Sequence, residues 1–324
     1  MKNTRIALAT IAALAAGSAA FAEIKINDSL STSGYVVGSY RHSDTSEGEY
    51  SSTLDHDVTK LGFTYNLAPV TGNISFLANG SDNKVGVLDA FATYSLGSGV
   101  SVTGGKFLSY LGYEAFDVPA MTQLTYANGD VLGIIPGYHS GIRLDYSDDV
   151  GAAGIAVVDS IYGGEGFFKG DAEVKKNIGL EAFYSYKGVK DLTIWTGIAY
   201  EGEEGPTNPT NDIFVWDLWA SYNLTKEAAV AAEYAVKDGG KGGRGYNWLG
   251  LFSYAFTDKI SGIARISGQD TDLGEPLSEF TRYTLCPTYT LTANLSVRAE
   301  YSYTDYKAGD LEGHFFGVQG IFKF

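Results

Sequence analysis

Residues 177–186 read NIGLEAFYSY, and the character of the side chain changes at every step. Even-numbered positions are apolar or aromatic, whereas the odd-numbered positions include Asn177, Glu181 and Ser185. Because successive side chains of a β-strand point to opposite faces, this pattern predicts a strand with one apolar and one polar face. The same period of two recurs in residues 60–67 (KLGFTYNL) and in residues 295–304 (LSVRAEYSYT).

Segments of this kind recur along the chain and are separated by connections that alternate in length. Seven connections are tight, near residues 68–70, 97–99, 147–150, 187–190, 223–227, 257–259 and 291–294. Eight are longer and mostly polar, namely 42–56, 80–84, 108–137, 160–176, 202–212, 238–245, 268–279 and 304–312. This rhythm predicts an all-β, transmembrane antiparallel β-barrel of about sixteen strands, with short periplasmic turns and long extracellular loops. A soluble β-sandwich also alternates in polarity, but it lacks the rhythm of loop lengths.

Composition and charge narrow the class of protein. The chain has 324 residues and a formal net charge of −15. This charge argues against nucleic-acid binding, because that affinity depends on Lys and Arg at phosphates. A single cysteine, Cys286, excludes an intramolecular disulfide and a multi-cysteine metal site. After residue 22, no apolar run reaches the ~18 residues of a membrane-spanning helix.

Residues 1–22 predict a secretory signal peptide. Lys2 and Arg5 form a basic start, an apolar stretch follows, and Ala20-Phe21-Ala22 fits a cleavage site. The apolar stretch is too short for a membrane anchor helix. We therefore expect an exported mature protein, residues 23–324, that forms the barrel.

The polar face of the strands predicts what the barrel encloses. If the apolar face meets lipid, eleven charged residues face inward, namely Lys60, Asp89, Arg143, Asp145, Glu181, Asp217, Glu233, Arg265, Arg282, Arg298 and Glu300. A charge on the lipid face costs ~2–4 kcal/mol, so a hydrated wall already explains each residue taken singly. Sixteen strands can enclose water, so together these residues predict a pore lining. Trp195 and Trp219 share this face, where they either stack on solutes or pack in the wall.

The longest predicted loop, Leu108–Gly137, is rich in apolar and aromatic residues. One hypothesis is that it folds into the barrel and presents Glu114, Asp117 and Asp130 at a constriction. The inward arginines of the C-terminal strands would then face these acids and set up a transverse field. The alternative is that the loop packs on the outer rim or covers a subunit contact.

Two parts of the sequence resemble known proteins. The last strand alternates up to Phe322 and Phe324, and it resembles the C-terminal signal that the barrel-assembly machinery recognises in Gram-negative outer-membrane proteins. Residues 105–114 (GKFLSYLGYE) and 136–141 (PGYHSG) resemble the family described as putative beta-barrel porin type 2. The second resemblance spans about residues 100–160. It implies an outer-membrane barrel with pore activity, and it carries over no catalytic residue.

Enzyme motifs are absent from the sequence, since neither G-x-S-x-G nor H-E-x-x-H occurs. Four histidines fall in the first long loop or near the long-loop rim, where we expect surface residues, namely His42, His56, His139 and His314. No catalytic residue, cofactor or metal site is predicted. Asp270, Asp272 and Glu275 leave only a weak calcium hypothesis, because their spacing misses the EF-hand pattern.

These observations and the resemblance predict an outer-membrane porin, a passive diffusion channel for small hydrophilic solutes or ions. Expected partners are outer-membrane lipids, lipopolysaccharide and the barrel-assembly machinery, and both a homotrimer and a monomer stay open. The alternative is a structural or adhesive barrel with a plugged lumen and partner-binding outer loops. The acidic mature chain favours a mild cation preference, which the inward arginines would reverse.

Overall fold

The computed structural model describes the chain as one closed β-sheet. It covers residues 23–46, 48, 50–80, 84–114, 116–127, 133–162, 178–202, 212–239, 243–272, 278–307 and 311–324. The predicted signal peptide, Asp130 and Glu275 therefore lie outside the described residues. Within these ranges, a two-residue strand β1 and sixteen longer strands, β2–β17, form a single antiparallel sheet. No helix in the same ranges is long and apolar enough to cross a membrane.

The strands follow one another around the barrel in chain order. Their bounds are β1 Ile24–Lys25, β2 Leu30–Thr45, β3 Tyr50–Leu67, β4 Val70–Asn79, β5 Lys84–Gly97, β6 Val100–Leu108, β7 Tyr138–Ser147, β8 Gly151–Val158, β9 Gly179–Tyr186, β10 Leu192–Glu201, β11 Ile213–Asn223, β12 Ala228–Asp238, β13 Gly245–Ala255, β14 Ile260–Thr271, β15 Phe280–Thr290, β16 Leu295–Tyr306 and β17 Glu312–Lys323. A 3₁₀ turn, Val118–Ala120, lies between β6 and β7.

The barrel closes between its first and last long strands. The register of β17 on β2 runs from Gly313 opposite Thr45 to Lys323 opposite Tyr35. Beyond that point, the backbone amides of Gly34 and Phe324 each donate to the other's carbonyl, at 2.7 and 2.9 Å. A closed sheet satisfies its backbone polar groups internally, which a membrane-spanning sheet requires.

The predicted strand number and the alternation of connections are confirmed. Tight turns join the strands at one rim, and longer connections join them at the other. The largest error in the predicted boundaries concerns residues 42–56, which are not a loop; β14 and β16 also continue into the predicted loops 268–279 and 304–312. Strand β2 continues to Thr45 and β3 begins at Tyr50, so this stretch is mostly a projecting hairpin. Both faces of the hairpin are polar there, so the sequence carries no alternation that would indicate strands.

Glycine permits the tight turn between β5 and β6. Gly97, Ser98 and Gly99 have φ values of 85°, 51° and 79°, in the left-handed region. Glycine enters this region at little cost because it has no Cβ. A Cβ on Gly99 would lie 2.1 Å from the carbonyl oxygen of Ser147, so the neighbouring strand end could not approach as it does.

The outer face of the barrel is apolar, as the alternation predicts. Leu180 and Tyr184 of β9 are exposed, whereas Glu181 and Ser185, each directly after one of them, are buried. Aromatic contacts continue along the outside, for example between Trp216 and Tyr234 at 6.2 Å between ring centroids. Apolar side chains on a closed cylinder are suited to lipid rather than water.

The inner face differs from the expected hydrated bore. On β10, β11 and β13, inward residues such as Trp195, Val215 and Leu249 belong to one buried apolar cluster. The cluster also contains Leu111 and Tyr113 from the connection between β6 and β7. A large part of the interior is thus a packed core. Period-two patterning could not reveal this, because it separates the two faces without showing what covers the inner one.

Candidate channel interior

We call residues 109–137 the lumen loop, and its described parts, 109–114, 116–127 and 133–137, lie inside the barrel. The backbone amide of Gly112 donates to Asp217 Oδ2 on β11 at 2.7 Å. Five residues later, Asp117 Oδ2 lies 2.9 Å from Lys60 Nζ on β3. Strands β3 and β11 are eight positions apart in the sixteen-strand cylinder, so they lie on opposite walls. The loop is therefore fastened to both sides of the lumen.

Carboxylates of the wall accept backbone hydrogen bonds from this irregular segment. The amide of Tyr113 donates to Glu233 Oε1 at 2.6 Å. The amides of Leu124 and Thr125 donate to Glu300 Oε2 at 2.5 and 3.1 Å. Buried backbone N–H groups need acceptors, and an irregular segment has no strand ladder to supply them. The inward acids supply those acceptors, in bonds strengthened by their charge.

Two arginines fasten the loop from the C-terminal strands. Arg265 Nη1 lies 2.6 Å from Glu114 Oε1. Arg298 donates to the carbonyl oxygens of Met121 at 2.7 Å and Val118 at 3.1 Å. Both arginines are buried, at 3% and 2% exposure. Both face inward, where atoms of the lumen loop are among their partners.

Asp117 is the loop's contact with the opposite wall. Besides Lys60, it accepts a hydrogen bond from the Tyr35 hydroxyl at 3.0 Å. Lys60 Nζ also lies 3.7 Å from Asp89 Oδ2, and Asp89 in turn accepts from Ser75 Oγ at 2.6 Å. The predicted residues Lys60 and Asp89 thus form one charged group with Asp117 from the loop.

A second polar group lies where the lumen loop leaves β6. Glu181 accepts from Ser109 Oγ at 2.8 Å, and Asp145 accepts from the Tyr110 hydroxyl at 2.6 Å. Arg143 Nε lies 3.3 Å from Asp145 Oδ2, and its guanidinium lies over the Tyr110 ring. Arg143, Asp145 and Glu181 therefore hold the start of the loop.

The expected exposure of His139 is wrong. The residue is 2% exposed, and its Nε2 lies 3.6 Å from Glu181 Oε2. Its Nδ1 lies 3.4 Å from the carbonyl oxygen of Ile161, in the connection after β8, and a position near a rim could not reveal these contacts. His42 and His56 instead contact the hydroxyls of Ser52 and Thr59, both at 2.8 Å.

Three inward aromatic rings form a stack beneath the loop. Phe183, Trp195 and Trp219 lie with ring centroids 6.0 and 5.9 Å apart, on three adjacent strands. Tyr113 packs edge-on against Trp219 at 5.5 Å. Trp195 and Trp219 are 1% and 3% exposed. Of the two roles open for the tryptophans, the geometry favours packing over contact with solutes.

Open space lies on the other side of the interior. A cavity of about 540 Å³, which we call the rim cavity, separates the returning part of the lumen loop from the wall. Its wall side is formed by β2, β3 and β15–β17, and it reaches Thr45 and Tyr306 at the long-loop ends of their strands. Arg282 lines it, and its Nε donates to Thr304 Oγ1 at 3.0 Å. At the inner end, Val118 packs against Tyr35, Val37 and Ile321.

Arg41 and Asp57 are lining residues that sequence reasoning missed. They face each other at 2.9 Å on β2 and β3. Their positions flank the stretch interpreted as a loop, so no inward register was assigned to them. Recognising the hairpin would have placed both on the polar face.

Comparison with protein families gives a match over most of the chain. Residues 59–323 match the model described as Putative beta-barrel porin-2, OmpL-like. The chain belongs to this family. It is therefore a β-barrel porin, as the motifs at 105–114 and 136–141 predicted. A search of curated proteins finds no match.

Solved porins share the fold of this porin at low sequence identity. OprB of Pseudomonas putida is 13% identical with a TM-score of 0.70, covering 91% of this chain and 94% of that one. OmpF of Salmonella typhi, in complex with daunomycin, is 14% identical with a TM-score of 0.67, covering 93% and 100%. The anion-selective porin from Comamonas acidovorans is 14% identical with a TM-score of 0.65, covering 91% and 99%. At such identities the similarity concerns the fold alone.

Proposed function

We propose that this porin passes small hydrophilic solutes and ions by passive diffusion, with its narrowest point at Asp117–Met121 of the lumen loop. The observation that carries the proposal is the position of the rim cavity. Solutes would enter it at the long-loop rim, and at its inner end Val118 meets the wall. Charged groups along the path would bind a passing solute too weakly to trap it, as conduction requires.

We also propose a Gram-negative outer-membrane location. Residues 1–22 support export, and Phe322 and Phe324 support recognition by the barrel-assembly machinery. Lipopolysaccharide and other outer-membrane lipids would contact the apolar outer face, and a homotrimer is the assembly we expect. We assign no catalytic activity to the barrel.

Single-channel conductance of the refolded protein in a planar bilayer tests the channel and the constriction together. We expect defined conductance steps from the full chain. Replacing residues 115–130 by a short Gly-Ser linker should raise the conductance markedly, because the described part of this segment, residues 116–127, lies inside the barrel. Deleting residues 203–211, between β10 and β11, is the matched control and should have little effect. Equal conductance of the 115–130 variant and the full chain would exclude the constriction.

A plugged structural or adhesive barrel is the second candidate. The packed interior around Trp195 and Trp219 favours it, because a wall sealed by apolar contacts conducts nothing there. Liposome swelling separates the two functions. A channel admits small sugars and the vesicles swell, whereas a plugged barrel leaves them unchanged.

A further inference from the structure

One edge of β3 has no neighbouring strand above the point where β4 ends. Strand β3 begins at Tyr50, whereas the last residue of β4, Asn79, lies opposite Val58. Among the residues that the structure describes, no strand pairs with residues 50–56 on the side that faces away from β2. We call this side of residues 50–56 the free edge. Its length is roughly 24 Å, at about 3.4 Å per residue.

The backbone groups of Ser52 and Leu54 point to the free edge. Each residue of an antiparallel strand directs its N–H and C=O groups to one side, and the side alternates along the strand. A Cβ on Gly80, which follows β4, would lie 1.4 Å from the carbonyl oxygen of His56, so this carbonyl faces the β4 side. The register between β2 and β3 has no shift from His56 to Tyr50. Alternation therefore places the N–H and C=O groups of Ser52 and Leu54 on the free edge.

The side chains of the free edge leave it accessible. All seven residues are exposed, and Tyr50 and Leu54 are exposed to 79% and 84%. Natural edge strands are often blocked by proline or lysine, and residues 50–56 (YSSTLDH) contain neither. The other side of the hairpin is covered, because β17 pairs with β2 as far as Thr45. The free edge is thus the open border of a larger sheet rather than of an isolated hairpin.

We propose that the free edge binds an extended, basic peptide segment of another protein, which adds to the sheet as a further strand. An extended backbone presents N–H and C=O groups at the spacing of such an edge. Apolar side chains of the segment would contact Tyr50 and Leu54, and a basic one would lie opposite the exposed carboxylate of Asp55. The net charge of −15 also favours a basic partner. The free edge lies at the long-loop rim, so the proposal goes beyond the channel function and does not depend on it.

A second copy of this chain fits the free edge less well. Two barrels that stand upright in one membrane would bring their β3 strands together in parallel, whereas β3 pairs antiparallel with both of its neighbours. Such a contact would also place the two copies of Asp55 on adjacent strands. Like charges on adjacent strands are destabilising, whereas a basic segment has the opposite charge.

A blocked, fluorescently labelled heptapeptide of sequence TVKVTVT is the probe. Its valines lie on one face of an extended strand, and its lysine and threonines lie on the other. Fluorescence anisotropy would measure its binding to the full chain in detergent micelles, and we expect saturable binding. Hydrogen exchange followed by NMR should slow at the amides of Ser52 and Leu54. The amide of Thr53, which faces Arg41 of β2, should exchange at the same rate with and without the peptide.

Methylated and recharged peptides provide the first controls. One derivative carries N-methyl groups on its valines, and the other carries them on its lysine and threonines. Only one of these alternating sets faces β3 in an added strand, so one derivative should bind at least about tenfold more weakly and the other like the parent peptide. Equal affinities of the two derivatives would overturn strand addition. The peptide TVEVTVT should bind about two- to fivefold more weakly than the probe, and equal or tighter binding would overturn the basic partner.

Two variants at one position separate the backbone from the side chain. Leu54→Pro removes the N–H group at the free edge without breaking a bond to β2, and it should weaken binding of the probe at least about tenfold. Leu54→Thr loses the same leucine but keeps the N–H group, so its loss of affinity should be smaller. Both variants should show the single-channel conductance of the native protein, which verifies that the barrel folds.

The remaining outcomes decide against the peptide. Equal affinities of Leu54→Pro and Leu54→Thr for the probe would overturn the site, and so would the absence of binding to the native protein. A dimer in detergent that dissociates only in Leu54→Pro, without binding of the probe, would assign the free edge to a second copy. Each of these results would leave the channel function standing, because the conductance is measured separately.

Discussion

Arg265 Nη1 lies 2.6 Å from Glu114 Oε1 across the interface between the barrel wall and the lumen loop. The two residues are 151 positions apart in sequence, and both side chains are almost fully buried. Charges taken out of water this completely need close partners. Glu114 has further donors, since Gln123 Nε2 and the Ala127 amide donate to it at 2.5 and 2.6 Å. The pair thus organises the loop and fixes it to β14.

Removing one member of this pair should destabilise the protein strongly. We expect Arg265→Met to lower the free energy of unfolding by about 3–5 kcal/mol, because it leaves the Glu114 carboxylate buried without its cation. The double variant Arg265→Met/Glu114→Leu should lose less free energy of unfolding than the two single variants lose together. Urea titration in lipid vesicles would measure the free energy of unfolding of the native protein, the two single variants and the double variant. The exposed pair Lys307 and Asp270 is the control, where Lys307→Met should cost about 0–1 kcal/mol. Equal effects at the two sites would contradict the proposed fastening.

Glu300 holds the part of the loop that borders the rim cavity. Glu300→Gln removes the charge from the bonds to Leu124 and Thr125, and such bonds contribute about 1.5–3 kcal/mol each. We expect the loop to leave its position more often, so single-channel recordings should show higher mean conductance and more noise. Glu312→Gln at the outer rim, where the partner is the Tyr303 hydroxyl, should reproduce the native recordings. If the Glu300→Gln channel has the conductance and the current noise of the native protein, this contact does not hold the loop.

The alternation in residues 177–186 was enough to assign a face to each residue, because lipid and interior demand opposite polarity. The same pattern could not distinguish a hydrated wall from one covered by protein. Glu233 and Arg298 are buried, and they have partners in a loop far away in sequence. Arg41 and Asp57 escaped prediction because the projecting hairpin of β2 and β3 beside them is mostly polar on both faces. Sequence thus predicts orientation well where the surroundings are uniform, and poorly where one segment folds over another.

The four tryptophans should report on the two faces separately. Trp216 and Trp248 lie on the outward register of β11 and β13, whereas Trp195 and Trp219 stack beneath the lumen loop. Brominated lipids should quench the fluorescence of the native protein in part. The double variant Trp216→Phe/Trp248→Phe should fluoresce without quenching by brominated lipid or by aqueous acrylamide. Acrylamide quenching of the double variant would mean that water reaches the stack.

A charge on the outer face should impair assembly in the membrane. Ile198 lies in the middle of β10 and is 46% exposed, on the face that we assign to lipid. Lysine at the bilayer midplane costs about 2–4 kcal/mol, so Ile198→Lys should fold into vesicles in lower yield and unfold at lower urea concentration. Ile26 is similarly exposed, at 51%, but precedes β2 outside the barrel wall, so Ile26→Lys should fold normally. The comparison isolates the lipid contact, because both substitutions add the same charge to an exposed isoleucine. If both variants fold equally well, the face that carries Ile198 does not meet the membrane.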